Sequence, residues 1–272
     1  VRFRVDHGSE YQYSTPAALS LNEACLTARA SPFQTVLGHS FHTEPRAEYH
    51  RDRTDFFGNH WRLFAFERPH RRLQIVSSLE VEVNRGRLGD GAAEGYQPFL
   101  APSPFVRVGQ AFADYGRPSF YGHRSRPEAL ADLTERVFRD FTYDPKATVI
   151  STPVEEFFRL RRGVCQDFSH LMLAVLRSLG VPARYVSGYL NTQPPPGKPK
   201  VVGADASHAW VAAWDPSAGW IDLDPTNGIV VANDHITVAW GRDYGDVTPL
   251  KGVVLGGGTQ KLEVKVTVLA QG

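Results

Sequence analysis

Residues 163–190 read GVCQDFSHLMLAVLRSLGVPARYVSGYL, and the fold is decided here. Phe168, Leu171, Met172, Val175, Leu176 and Leu179 recur at helical spacing, which predicts a helix from about Cys165 to Gly180, with Pro182 just past its end. RYVSGYL (184–190) then reads as a strand. Upstream, Thr152-Pro153-Val154-Glu155-Glu156 predicts an N-cap, a proline at the first helical position and an acidic first turn. That short helix would run to about Arg162 and stop at Gly163. RPEALADLTERVFRDFTYD (126–144) carries Leu130, Leu133, Val137, Phe138 and Phe141 as a further helical stripe. Downstream, HAWVAAWD (208–215) and GWIDLDP (219–225) are strands joined by a short turn, and HITVAWGRDYGDV (235–247) and KLEVKVTVLA (261–270) continue in β structure. Helices followed by an antiparallel sheet give an α+β core over 96–272.

The first 95 residues have a different texture. VRFRVDH alternates, LQIVSSLEVEVNRG (73–86) places β-branched residues on alternate positions before a turn, and FFGNHWRLFAFE (56–67) reads as a turn and a strand. We read residues 1–95 as a β-rich N-terminal domain, a sandwich or meander, joined to the core by the Gly- and Pro-rich stretch 89–105. The proline-rich segment NTQPPPGKPKVVGAD (191–205) predicts a semi-rigid exposed loop whose ends lie near His208, a candidate rim or lid.

Composition narrows the function classes. Apolar residues make up 42 % and charged residues 22 % of the 272, as in an ordinary globular chain. The formal net charge of +1 offers no global field for nucleic acid or membrane, so neither is expected as a partner. Cys25 and Cys165 are the two cysteines, too few for a disulfide framework or a cysteine-based zinc site. Two lone thiols fit a reducing compartment, read as cytoplasmic, although one bridge between them stays open. The alternating polar start carries no signal peptide, and LMLAVL (171–176) is too short an apolar run to span a bilayer.

Chemistry concentrates on three positions. Cys165 opens a helix, where unpaired N–H groups and about half a positive charge favour a thiolate. Its own N–H, after Gly163-Val164, could help to form an oxyanion hole. His208 enters the first of two antiparallel strands and Asp224 ends the second. Such strands hold facing side chains roughly 4.7–5.5 Å apart. A carboxylate on one imidazole nitrogen fixes the tautomer and frees the other nitrogen to take the thiol proton.

The stretches GVCQDFSHLMLAVLRSLGVPARYVSGYL, DASHAWVAAWD and GWIDLDPTNG together resemble the bacterial transglutaminase-like core. The first 95 residues, with DFFGNHW and SLEVEV, resemble the β-rich region that accompanies that core in bacteria, and HITVAWGRDYGDVTPLKGV also fits. The resemblance implies a papain-like arrangement, a nucleophile helix packed on an antiparallel sheet. It implies Cys165 as nucleophile, His208 as base and Asp224 as orienting carboxylate. It implies a thiol-dependent enzyme acting on peptide or carboxamide bonds through a thioester.

Rivals stand beside these residues. His170 lies about 140° round the helix from Cys165 and reads as a packing residue. Asp222 shares a strand face with Asp224 and is the alternative orienter. Gln166 and Asp167 would cap or brace the site, Trp210, Trp214 and Trp220 would wall a groove or pack the core, and Arg161 and Arg162 read as solvated helix-end charges. No calcium-loop pattern and no HExxH occur, so no metal or other cofactor is expected. Hydrolysis is the favoured outcome, with glutamine transamidation as the alternative and a catalytically silent binding module as the alternative of another class. The sequence leaves the oligomeric state open.

Overall fold

A computed structural model of the chain describes residues 1–86, 96–122, 124–192 and 207–271. It is α+β, with a β-rich first part followed by helices packed on a second sheet. The boundary at 95/96 and the loop expected as a lid (191–205, apart from Asn191 and Thr192) lie outside the described residues.

The first part is built on one long strand, β1 (Arg2–Ala24), followed by β2 (Gln34–Glu44), β3 (Tyr49–Thr54), β4 (His60–Phe66) and β5 (His70–Val83). They form a single sheet in the order β2-β5-β1-β4-β3, not two stacked sheets. Alternation explains the register: Phe3, Val5 and His7 of β1 are buried, as are Leu79, Val81 and Val83 of β5.

The core follows with α1 (Gln110–Gly116), α2 (Arg126–Asp140), the two-residue strand β6 (Thr142–Tyr143), α3 (Val154–Leu160), another two-residue strand β7 (Arg162–Gly163) and α4 (Cys165–Ser178). Ser125 caps α2 in a reciprocal box with Glu128. Phe138, expected on the buried stripe of α2, points outward with half its surface exposed. α3 differs at both ends from the sequence expectation. Pro153 is itself the cap residue, Thr152 Oγ1 instead accepts from the Val149 N–H, and a left-handed Arg161 ends the helix at Leu160, two residues early. α4 begins at Cys165 as expected and is buried almost all round, Ser169, His170 and Arg177 included, so it is the central core helix rather than a surface one.

Strands β8 (Ala183–Leu190), β9 (Ser207–Asp215), β10 (Gly219–Asp224), β11 (Ile229–Val230) and β12 (His235–Gly241) make the second sheet, in the order β11-β10-β9-β8-β12. Tyr185, Ala209, Val211 and Leu223 share one hydrophobic cluster with α4, whereas Val186, Trp210 and Ala212 pack into another on the opposite face. The final strands, β13 (Leu250–Gly256) and β14 (Gln260–Gln271), do not join this sheet. Both pair antiparallel with β1, so the tail that sequence analysis placed with the core completes the N-terminal sheet. Phe3, Val5 and Leu79 belong to the same buried cluster as Leu171 and Met172, which makes the hydrophobic core continuous between the two parts.

Side chains of the first part also supply pairing for β12, the strand at one end of the core sheet. Gln34 donates to Thr237 O (2.7 Å) and accepts from Thr237 N (2.8 Å), and Asn59 does the same for Trp240 (2.8 and 3.0 Å). Buried amides thus satisfy edge groups that would otherwise be stranded. Asn59→Ala is expected to lower unfolding free energy by about 3 kcal/mol in urea denaturation, because both Trp240 groups lose their partner in a dry interior. Among the described residues no helix is long and apolar enough to cross a membrane.

Candidate active site

The local order of chain elements sets Cys165 at the start of α4. β6 and β7 pair in parallel immediately before it, and the Asp144 N–H donates to Gly163 O (2.8 Å). Asp167 then turns back to accept from the Val164 N–H (2.8 Å) and from Thr148 Oγ1 (2.7 Å). Gln166 donates to Ile150 O (2.9 Å), so both residues brace the turn that presents Cys165, as their position suggested. Gly163 is the hinge of this turn. A Cβ there would meet the Asp167 carboxylate and come within 2.8 Å of the Phe157 ring. Gly163→Ala should therefore cost about 1–3 kcal/mol in thermal unfolding and slow alkylation of Cys165, since Asp167 must yield its hold on the turn.

His208 opens β9 and Asp224 closes β10. The fold brings them together, with His208 Nε2 2.7 Å from Asp224 Oδ2. The carboxylate is wholly buried and the imidazole nearly so. Burial opposes charge on His208, but the hydrogen bond it donates to Asp224, together with the nearby Cys165, outweighs that and pushes the imidazole up to about 10. With Nε2 taken by Asp224, Nδ1 is the ring nitrogen left for a thiol partner. Burial would raise the Asp224 carboxyl, but its imidazole and Asn227 partners hold it well below the usual carboxylate range.

Asp224 has more support than the sequence suggested. Its Oδ1 accepts from the N–H groups of Thr226 (3.0 Å) and Asn227 (3.2 Å), so the turn after β10 is built around it. Its Oδ2 accepts from Asn227 Nδ2 (2.7 Å) and from a second imidazole, His235 Nε2 (2.9 Å). Among the described residues the buried His235 Nδ1 has no hydrogen-bond partner. Its hydrogen therefore sits on Nε2, because a stranded lone pair costs less than a stranded N–H. Sequence analysis did not single out His235. Its strand, β12, lies beyond β9 and β8 from β10, so no local spacing could relate it to Asp224.

The rivals separate cleanly. Asp222 accepts from Arg85 Nη1 (2.7 Å) and Trp210 Nε1 (3.1 Å), tying the first part of the chain to the core. His170 stacks on Phe105 and accepts from the Tyr244 N–H (3.2 Å), with burial pushing it down to about 3. Trp210 and Trp214 are core residues. Arg161 is not simply solvated: its guanidinium lies over Phe141, Phe158 and Tyr115. Cys25 and Cys165 are both free thiols, and Cys25 is buried.

His208, Asp224 and His235 also form, among the described residues, a set of donor atoms within 4.8 Å of one another. Oxygen-to-nitrogen separations of 2.7 and 2.9 Å are those of hydrogen bonds, shorter than the roughly 3.3 Å between ligands of a tetrahedral ion with 2.0–2.1 Å bonds. A metal on His235 Nε2 would also put a hydrogen on a buried Nδ1 that has no acceptor. The donor set fits proton sharing and does not fit a metal.

The model of the transglutaminase-like superfamily core matches residues 118–225, and that of the bacterial transglutaminase-like N-terminal region matches 3–82. An uncharacterized protein of Mycobacterium tuberculosis is 39 % identical over 276 residues, covering 93 % of this chain and 87 % of its own. The chain belongs to the transglutaminase-like superfamily. An uncharacterized Mycobacterium leprae protein is 36 % identical across 98 % of both chains. A protein-glutamine gamma-glutamyltransferase of Pseudomonas aeruginosa is 37 % identical over 111 residues, 38 % of this chain and 16 % of that one. Among solved structures, a candidate cysteine protease from Cytophaga hutchinsonii superposes with a TM-score of 0.76 at 20 % identity, covering 100 % of this chain and 91 % of that chain, a likeness of fold.

Proposed function

We propose that this transglutaminase-like protein is a thiol-dependent hydrolase of peptide or carboxamide bonds, with Cys165 as nucleophile, His208 as acid and base, and Asp224 as orienting carboxylate. The observation that carries this is the buried, charge-assisted contact of His208 with Asp224, with Cys165 near enough to favour charge on the same imidazole. The catalytic residues come from the part of the chain after residue 96, and the β-rich first 95 residues support it.

The steps follow from the positions. The Cys165 proton passes to His208, and the imidazolium is stabilised by Asp224. Sγ bonds to the carbonyl carbon, and the developing oxyanion meets the Cys165 N–H at the start of α4. The C–N bond breaks as His208 returns the proton to the leaving amine, which leaves a thioester. Water, giving a proton to His208, then releases the acid and regenerates the thiol. An amine in place of water would give transamidation with the same residues. The match to the Pseudomonas aeruginosa gamma-glutamyltransferase supports keeping that outcome as the second reading.

The experiment is incubation with a peptide library and a labelled primary amine, read by mass spectrometry. Cleaved products that gain water are expected. Products that gain the amine would favour transamidation. Absence of both, in folded protein whose Cys165 alkylates no faster than Cys25, would remove the enzyme reading. Cys25 is a stringent internal control, since burial pushes its thiol up to about 12.

A further inference from the structure

A cleft of about 530 Å³ is lined by Thr148, Val149, Ile150, Ser151, Val164 and Gln166. Val164 and Gln166 flank Cys165 in the chain, which sets this wall close to a group attached to a carbonyl within reach of Sγ. We propose that the cleft selects substrates bearing an apolar side chain next to the reacting carbonyl. The inference rests on Cys165 being the nucleophile and adds the substrate class.

The chemistry of the lining carries it. None of the six side chains is charged. Two of the three polar side chains are turned into the fold: Thr148 Oγ1 donates to Asp167 and Gln166 Nε2 to Ile150 O. The exposed Ser151 leaves one hydroxyl in a wall that is otherwise mainly hydrocarbon. Val149 is 69 % exposed and Ile150 61 %, adjacent in the chain and both beside the thiol. Single exposed apolar residues are ordinary, but a contiguous pair lining a concavity next to a reactive group marks a binding wall. Tyr143, 55 % exposed on β6, adds to the apolar surroundings. Its hydroxyl is raised by partial burial and then by the nearby Cys165.

These residues are not needed to hold the fold, since their side chains bury little. Val154 and Phe157, a few residues on, are buried and do that. An apolar group entering the cleft would remove both hydrocarbon surfaces from water at once, whereas a hydroxylated or charged group would lose hydration with only the Ser151 hydroxyl to meet it.

The test reads the thiol directly and needs no known substrate. Alkylation rates of Cys165 are measured with N-benzyl-iodoacetamide and N-(2-hydroxyethyl)-iodoacetamide, each divided by its rate with free glutathione. Wild-type protein should favour the benzyl reagent by about tenfold, the discrimination available to one apolar group in a hydrophobic site. In the double variant Val149→Ser, Ile150→Ser the ratio should fall to near unity. Because a ratio is read within each protein, changes in thiol reactivity cancel. A wild-type ratio near unity, or a tenfold ratio that survives the double substitution, overturns the inference while leaving the nucleophile standing. If plain iodoacetamide labels Cys165 no faster than Cys25, the nucleophile assignment fails and the substrate class falls with it.

Discussion

Asp224→Asn is expected to lower kcat/KM for amide cleavage by roughly 10²–10⁴-fold, with a smaller change in KM. Oδ2 of Asp224 receives three N–H donors, from His208, His235 and Asn227, each at 2.9 Å or less. An asparagine cannot serve that position: its NH₂ would face donors, and its oxygen would lack the charge that stabilises the imidazolium. His208 should drop from about 10 toward its ordinary 6.5, so alkylation of Cys165 should lose its charged partner above neutral pH rather than above about 10. Stability should change in the same sense. The raised His208 contributes stability that is fully present below about 6.5 and is lost as pH rises through about 10. The depressed Asp224 contributes stability that is present above 3.8 and is lost as pH falls below it. Wild-type stability should therefore plateau between those two ordinary values and erode on either side, and Asp224→Asn should flatten both slopes.

Asp222→Asn is the matched control. It should leave the pH profile of Cys165 alkylation in place yet lower stability, because it strips the charge from a buried pair with Arg85. An alkylation profile moved by Asp222→Asn and not by Asp224→Asn would reverse the assignment of the two carboxylates.

Cys165→Ala should abolish turnover to below one part in about 10⁴ while leaving the urea midpoint nearly unchanged. The thiol caps no helix and forms no disulfide. Cys165 helps Asp224 to raise the His208 imidazole, so the variant's His208 should titrate lower, which NMR of the ring protons can follow. Cys25→Ala should show the opposite pattern, with turnover kept and stability lowered, since Cys25 is a buried hydrophobic-core residue. Retained turnover in Cys165→Ala would end the thiol mechanism outright.

Much of the site is legible along the chain because its parts are local. A helix start declares itself by periodicity and a glycine stop, which put Cys165 at the first position of α4. Two strands joined by a short turn must lie side by side, which brought His208 and Asp224 to within 2.7 Å. The hold of Asp167 on Val164 is likewise a matter of a neighbour three residues away, whereas Gln166 reaches Ile150, 16 residues back. The length of α3 was misjudged at its ends, since a proline that could open the first turn can equally stand as the cap.

Only the tertiary structure decided the rest, and in each case the reason is non-local pairing. That β13 and β14 complete the N-terminal sheet depends on which strand edge was left open by β1, and alternation alone does not say which partner a strand takes. That Asp222 is held by Arg85, 137 residues away, gives it a partner other than His208, although by strand parity it faces the same way as Asp224. His235 reaches Asp224 because β12 docks on β8 with Gly188 at the crossing, where a Cβ would fall within 2.7 Å of Trp210. Hydrophobic period and capping fix elements and their near neighbours through short-range sterics and hydrogen bonds. Which distant elements share an edge, and so which third or fourth side chain arrives at a buried carboxylate, is set by the packing of the whole chain.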